Sequence, residues 1–125
     1  TDRGECDVTC TASATVGDFK EVINDESALA TALLSQPVAV SIDAESSGFQ
    51  LYASGVFDDF SCGTTLNHAV LLVGMGTDSF TPYFKIKNSW GSSWGESGYM
   101  RMVRGQNMCG IAAQAAYPTG VAPVD

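Results

Sequence analysis

The chain contains a single histidine, His68, and an imidazole is the side chain best suited to proton transfer near neutral pH. It works as a base when one ring nitrogen faces the reacting group and the other is held by an acceptor that fixes tautomer and ring angle. Twenty residues on stands Asn88, whose carboxamide oxygen can be that acceptor without adding charge. Both lie in the stretch 66–98, with the two tryptophans, Trp90 and Trp94, and the run Asn88-Ser89-Trp90-Gly91. Taken singly, each has an ordinary structural reading: a strand-end histidine, a turn asparagine, aromatic anchors. Their arrangement together is what points to chemistry.

Other arrangements are weaker. Asp58 and Asp59 are adjacent, and neighbours in an extended segment point to opposite faces, so they read as a solvated turn and not as a carboxylate dyad. Gly74-x-Gly76 lacks the third glycine of a dinucleotide loop, which would fall at Ser79, and no helix is expected after it. Cys6, Cys10, Cys62 and Cys109 have spacings that suit disulfides better than a zinc site, and four cysteines allow three connectivities. Disulfides imply an oxidising compartment.

The elements that must position His68 and Asn88 are legible. Leu66 to Met75 is an apolar run closed by Gly74 and Gly76, which reads as a strand buried on both faces. Tyr83 to Asn88 alternates, with Phe84 and Ile86 on one face and Lys85 and Lys87 on the other. Thr77 to Pro82 is turn-rich, so the two strands form a hairpin that brings His68 to Asn88. Asp25 to Ser35 has a one-sided stripe of Ala28, Leu29, Ala32 and Leu33, with Asn24 or Asp25 as cap and Pro37 as stop. It reads as a scaffold helix. Further strands are expected at Gly17 to Ile23, Val38 to Asp43, Tyr99 to Arg104 and, closing the sheet, Ile111 to Ala116, with a helical turn within Ser46 to Gly55. The methionines Met100 and Met102 read as core filler.

Composition bounds the rest. The 125 residues suit one domain with a real core, and 45% hydrophobic against 16% charged content argues against disorder. A net charge of −8 disfavours nucleic acid and anionic membranes. No window approaches a membrane span, and Thr1-Asp2-Arg3-Gly4 does not read as a signal peptide.

These residues resemble the C-terminal half of papain-like cysteine proteases, the cathepsin L and plant vacuolar group. The likeness rests on Leu66-Asn67-His68-Ala69-Val70, Gly74-Met75-Gly76, Ile86 to Gly91, Trp94 to Tyr99, Cys109-Gly110-Ile111-Ala112 and Tyr117-Pro118. Upstream, Gln36 to Val40, Phe49 to Tyr52 and Gly55 to Phe57 also match. The resemblance implies an α+β fold: an antiparallel, β-barrel-like right domain with one main helix over 15–119. Residues 1–14 would be an irregular lead-in from a left domain and 120–125 a tail. It implies His68 and Asn88 as catalytic residues, with Trp90 shielding their hydrogen bond and Trp94 on the leaving-group side. Ser41, Leu66, Asn67, Ala69 and Gln114 would surround the side chain two residues before the scissile bond, with Gln114 as a neutral floor that gives no strong ionic selection for arginine. It implies a Cys62–Cys109 disulfide, and leaves Cys6 and Cys10 between a local bridge and a bond to another chain. No cofactor or metal is implied.

The family's nucleophilic cysteine lies in a left-domain segment that none of these cysteines matches. The expected partners are therefore an N-terminal half that carries it and a polypeptide substrate. The chain alone would be inactive, and the compartment lysosomal, vacuolar or extracellular. The competing class is an inactive relative that binds, stores or inhibits.

Overall fold

The computed structural model describes residues 4–5 and 9–124. Its strands are β1 (Ala14–Thr15), β2 (Asp18–Val22), β3 (Val38–Ile42), β4 (Val56–Phe57), β5 (His68–Asp78), β6 (Thr81–Lys87), β7 (Tyr99–Val103), β8 (Ala115–Thr119) and β9 (Ala122–Pro123). The helices are α1 (Glu26–Leu33) and the one-turn α2 (Ser47–Gln50), with a 3₁₀ turn at Met108–Gly110. Seven strands form one sheet in the order β2-β8-β3-β5-β6-β7-β4, antiparallel except for β4 with β7. The sheet is open, with β2 and β4 at its edges, so it is mostly sheet with one main helix and no closed barrel.

The β5–β6 hairpin is longer than its glycines suggest. β5 runs through Gly74 and Gly76 to Asp78, and the turn is only Ser79-Phe80, both at positive φ (47° and 69°). Two such residues give a turn whose twist matches that of the strands. Gly76 pairs with Tyr83, whose ring lies where a Cβ would stand, only 2.7 Å from the phenol oxygen. A glycine inside a strand thus marks a close approach here, not an end.

The expectation that β5 is buried on both faces is corrected. Val70 and Leu72 are buried, whereas Ala69 and Leu71 are exposed. An antiparallel strand can leave one face open, and an apolar run does not reveal which residues face out. In β6 and β7 the alternation is as expected: Phe84, Ile86, Met100 and Met102 are fully buried.

Asp25 caps α1 by accepting the Ala28 N–H at 2.9 Å. In the first turn, Glu26 accepts the Gly105 N–H at 2.6 Å and the Asn107 N–H at 3.3 Å, which stitches the helix to the chain leaving β7. Leu29 carries the helix into the core.

The closing strand starts later than its composition suggests. Asn107, Cys109 and Gly110 all have positive φ, and Asn107 Oδ1 accepts the Ala112 N–H, so the chain winds tightly until Ala115. Ile111 is buried but lies in this turn, not in a strand. The segment read as a tail contributes β9, which pairs with β1. Cys62 and Cys109 are joined across 47 residues with Cα atoms 5.1 Å apart. Cys10 is exposed, and its pairing with Cys6 lies outside the described residues.

At the end of the sheet that includes β4, an aromatic cluster is built on Phe49, delivered by α2. Ser46 caps that turn through Oγ, which accepts the Phe49 N–H. The fully buried Phe49 ring meets Phe57, Trp90 and Trp94 at centroid distances of 6.0, 5.5 and 5.4 Å. Phe49→Ala is expected to cost about 3–5 kcal/mol, the range for deleting a buried phenylalanine. Equilibrium denaturation measures it, and a loss below about 1 kcal/mol would mean that the cluster relaxes to fill the space.

Candidate active site

His68 opens β5 and Asn88 follows the last residue of β6, so the hairpin register brings their side chains together. His68 Nε2 lies 2.8 Å from Asn88 Oδ1. The Ser89 N–H also reaches this oxygen, at 2.7 Å. A backbone N–H can only donate, so the atom it meets is the carboxamide oxygen and not the amide nitrogen. The second donor to that oxygen must then be Nε2–H. This fixes the tautomer: His68 carries its proton on Nε2 and leaves Nδ1 basic. No protein hydrogen bond occupies Nδ1 among the described residues.

Asn88 is buried, with 8% exposure, so water competes little for its oxygen. Its own N–H donates to Gly98 at 3.1 Å, which closes the loop that carries the tryptophans. Among the described residues its Nδ2 is buried without a protein partner.

Trp90 stacks on His68 at a centroid distance of 5.0 Å and an interplanar angle of 28°. One side of the indole covers the imidazole, and the edge-on Phe49 and Trp94 support it at 5.5 and 5.4 Å. Trp94, expected on the leaving-group side, is held from below. It is 9% exposed, and its indole N–H donates to the Gln50 carbonyl at 3.1 Å, so it underpins Trp90 from within the core.

The wall residues separate into two groups. Ser41 and Ala69 are cross-strand partners, the Ser41 N–H donates to the Gln114 carbonyl, and all three line a groove of about 320 Å³. Leu66 and Asn67 do not line it. Leu66 lies against Gly110, and the Asn67 carboxamide turns back to the chain just after β3, accepting the Ala44 N–H at 2.9 Å and donating to Asp43 at 3.3 Å. Sequence reasoning missed Glu21 of β2 and Ile23 just after it, which reach the same groove. The strand itself was legible, but its pairing with β8 was not.

Two carboxylates hold the loops around the site. Asp43 is held below the usual carboxylate range, first by the Glu45 N–H, with Thr65 N–H and Asn67 adding to it against partial burial. Glu96 is also lowered, chiefly by the two-pronged Arg101 guanidinium at 2.9 Å, and it accepts the Gly55 N–H as well. Arg101 is raised by Glu96 and Asp78 and stays charged throughout.

An imidazole with one fixed proton, one free ring nitrogen and an aromatic cover has the geometry that a general base beside a nucleophile requires. Over residues 1–119 the chain matches the model of the papain family cysteine proteases, and it belongs to that family. Vignain of Ricinus communis is 50% identical over 123 residues, 92% of this chain and 34% of vignain. The oryzain beta chain of Oryza sativa subsp. japonica is 48% identical over 93% of this chain and 26% of the relative. Bromelain from Ananas comosus, solved in complex with the E64 inhibitor, superposes with a TM-score of 0.79 at 45% identity, covering 83% of this chain and 50% of bromelain. The chain thus spans about a third or less of the curated relatives it matches.

The lowered Glu96 pKa makes a signed prediction. Its stabilising effect is complete above the ordinary carboxyl value of 4.5 and is lost as pH falls through the lower folded value. Glu96→Gln should therefore melt below the parent at pH 7 and converge with it in strong acid. Thermal melts across that range check it, and a gap that persists at the lowest pH would remove the ion pair as the cause.

Proposed function

We propose that this chain is the base-bearing half of a papain-like cysteine endopeptidase, completed by an N-terminal half that supplies the nucleophilic cysteine. The observation that carries the reading is the His68 Nε2–H held on Asn88 Oδ1 beneath Trp90, which leaves Nδ1 free to take a proton. Its place in the papain family, and the share of vignain and bromelain that it spans, support the division between two halves.

In this mechanism Nδ1 of His68 takes the proton of the partner's thiol. The resulting thiolate–imidazolium pair is favoured because each charge lowers the cost of the other. The thiolate attacks the scissile carbonyl carbon. His68 then gives its proton to the leaving amine, and an acyl thioester remains. Neutral His68 next takes a proton from water, whose oxygen attacks the thioester carbon; the C–S bond breaks, the carboxylic acid leaves, and the proton on His68 returns to the sulfur to restore the thiol. Asn88 keeps the ring angle constant through each transfer, and Trp90 keeps water from the His68–Asn88 bond. Cys62 and Cys109 are joined to each other and hold no free thiol for this role.

The groove at Ser41, Ala69 and Gln114 would receive the side chain two residues before the scissile bond. Apolar walls from Ile23, Ala39, Val40, Ala69, Ala115 and Ala116, with the neutral Gln114, suit hydrophobic side chains, while Glu21 lines the same groove with a carboxylate. The disulfide suits a vacuolar, lysosomal or extracellular location. Among the described residues, no helix is long and apolar enough to cross a membrane.

The test is assembly. Co-refolded with a nucleophile-bearing half, the protein should hydrolyse peptides, and His68→Ala should lower kcat by about 10²–10⁴-fold, the usual contribution of an acid–base group. Hydrolysis undiminished in that variant would remove His68 from the reaction. Failure of every assembly to cleave peptides would favour a binding, storage or inhibitory role.

A further inference from the structure

We infer that Asp43 is a positioning residue for His68, acting through the segment that leads into β5. The inference takes His68 to be the base, as proposed above, but it rests on a separate set of contacts.

Asp43 is 6% exposed, and no cation pairs with it among the described residues. A buried carboxylate without a counter-charge needs N–H donors. Oδ1 accepts the Glu45 N–H at 3.1 Å and an Asn67 Nδ2–H at 3.3 Å, and Oδ2 accepts the Thr65 N–H at 3.1 Å. Two of these three donors belong to the segment that ends at His68. The Asp43 N–H donates to the Cys109 carbonyl at 2.8 Å, and Cys109 is bonded to Cys62 at the start of that same segment. Asp43 therefore gathers both ends of the loop 62–67.

The position of His68 in its strand makes this matter. His68 is the first residue of β5 and pairs with Ile42, the last residue of β3. The sheet ladder fixes the chain after His68 but not the chain before it. On that side the backbone direction is set by Asn67, whose N–H donates to the Ile42 carbonyl, and by Thr65 and Asn67 on the Asp43 carboxylate. A side chain at a strand end takes its direction from both neighbours, so movement of the carboxylate turns the imidazole against Asn88. Gly63 leaves room for this arrangement: a Cβ there would lie 2.6 Å from Asp43 Oδ2.

Two variants test the inference by different routes. Asp43→Asn keeps the shape but turns an NH₂ toward at least one N–H donor. Gly63→Ala changes no charge and no donor but displaces the carboxylate. Nitrogen NMR of the 125-residue chain reads the His68 tautomer and the exchange rate of Nε2–H. In both variants Nε2–H exchange should rise about tenfold or more as its bond to Asn88 loosens, while the Phe84, Ile86 and Met100 amides keep their protection. If Asp43→Asn does not fold, Gly63→Ala decides alone. In an assembled peptidase, kcat should fall about 10- to 100-fold with little change in KM, as a misplaced base requires. A His68 tautomer and Nε2–H exchange equal to the parent's in the folded variants, with only a lower melting temperature, would overturn the role. Absence of peptidase activity in the parent assembly would sink the protease reading and leave the imidazole measurement to decide Asp43.

Discussion

One oxygen atom constrains this molecule more than any other. Asn88 Oδ1 accepts the Ser89 N–H and the His68 Nε2–H in a position almost closed to water. The backbone donor pins the carboxamide, and the pinned carboxamide pins the imidazole. In that orientation Nδ2 meets no protein partner among the described residues.

Keeping water from that oxygen explains the rest of this end of the molecule. The loop after β6 has almost no regular structure, yet it must hold an indole flat on the imidazole. It does so by closing on itself: the Asn88 N–H reaches Gly98, the Gly98 N–H returns to Trp94, and Glu96 is held by Arg101 of β7. Gly91, Gly95 and Gly98 all have positive φ, and a Cβ at Gly95 would fall 2.6 Å from the Tyr99 carbonyl. Beneath the loop, Trp94 and Phe49 form a rigid aromatic floor. The short α2 carries no polar chemistry of its own. Its contribution is to place Phe49 under both tryptophans and the Gln50 carbonyl over the Trp94 N–H.

What could be read from the chain depended on how local its cause was. The β6 and β7 alternation, the Asp25 cap and the His68–Asn88 meeting all follow from patterns within a few residues or one hairpin. The two-sided burial expected for β5 failed because exposure of Ala69 and Leu71 depends on which sheet face stays uncovered. The late start of β8 follows from the positive-φ winding at Asn107, Cys109 and Gly110, which composition does not announce for a non-glycine residue. The contacts around the site that the sequence did not reveal share one reason. Glu21 enters the groove through a strand pairing with Ala116, far along the chain. Asn67 turns to Asp43 and Ala44 across 24 and 23 residues, and Trp94 is withdrawn to the Gln50 carbonyl across 44. A motif says which side chain is present, but only the long-range partner says where it points.

Every contact described as orienting His68 is internal to this chain. Asn88, Trp90, the β3 ladder and the Asp43-bound segment belong to one cross-linked unit. On the proposed reading, a partner that brings a thiol need not order the imidazole as well. Ordering a residue's backbone costs about 1–2 kcal/mol, and a loosely held base would spend that from the energy of assembly or from the reaction step. Here it is met during folding, by hydrogen bonds and ring contacts that exist without the partner. The division is chemically sensible, since the imidazole must keep one geometry through two opposite proton transfers while the thiol changes its covalent state. On that same reading, an imidazole held rigid by its own chain is the fixed reference against which a second half would dock.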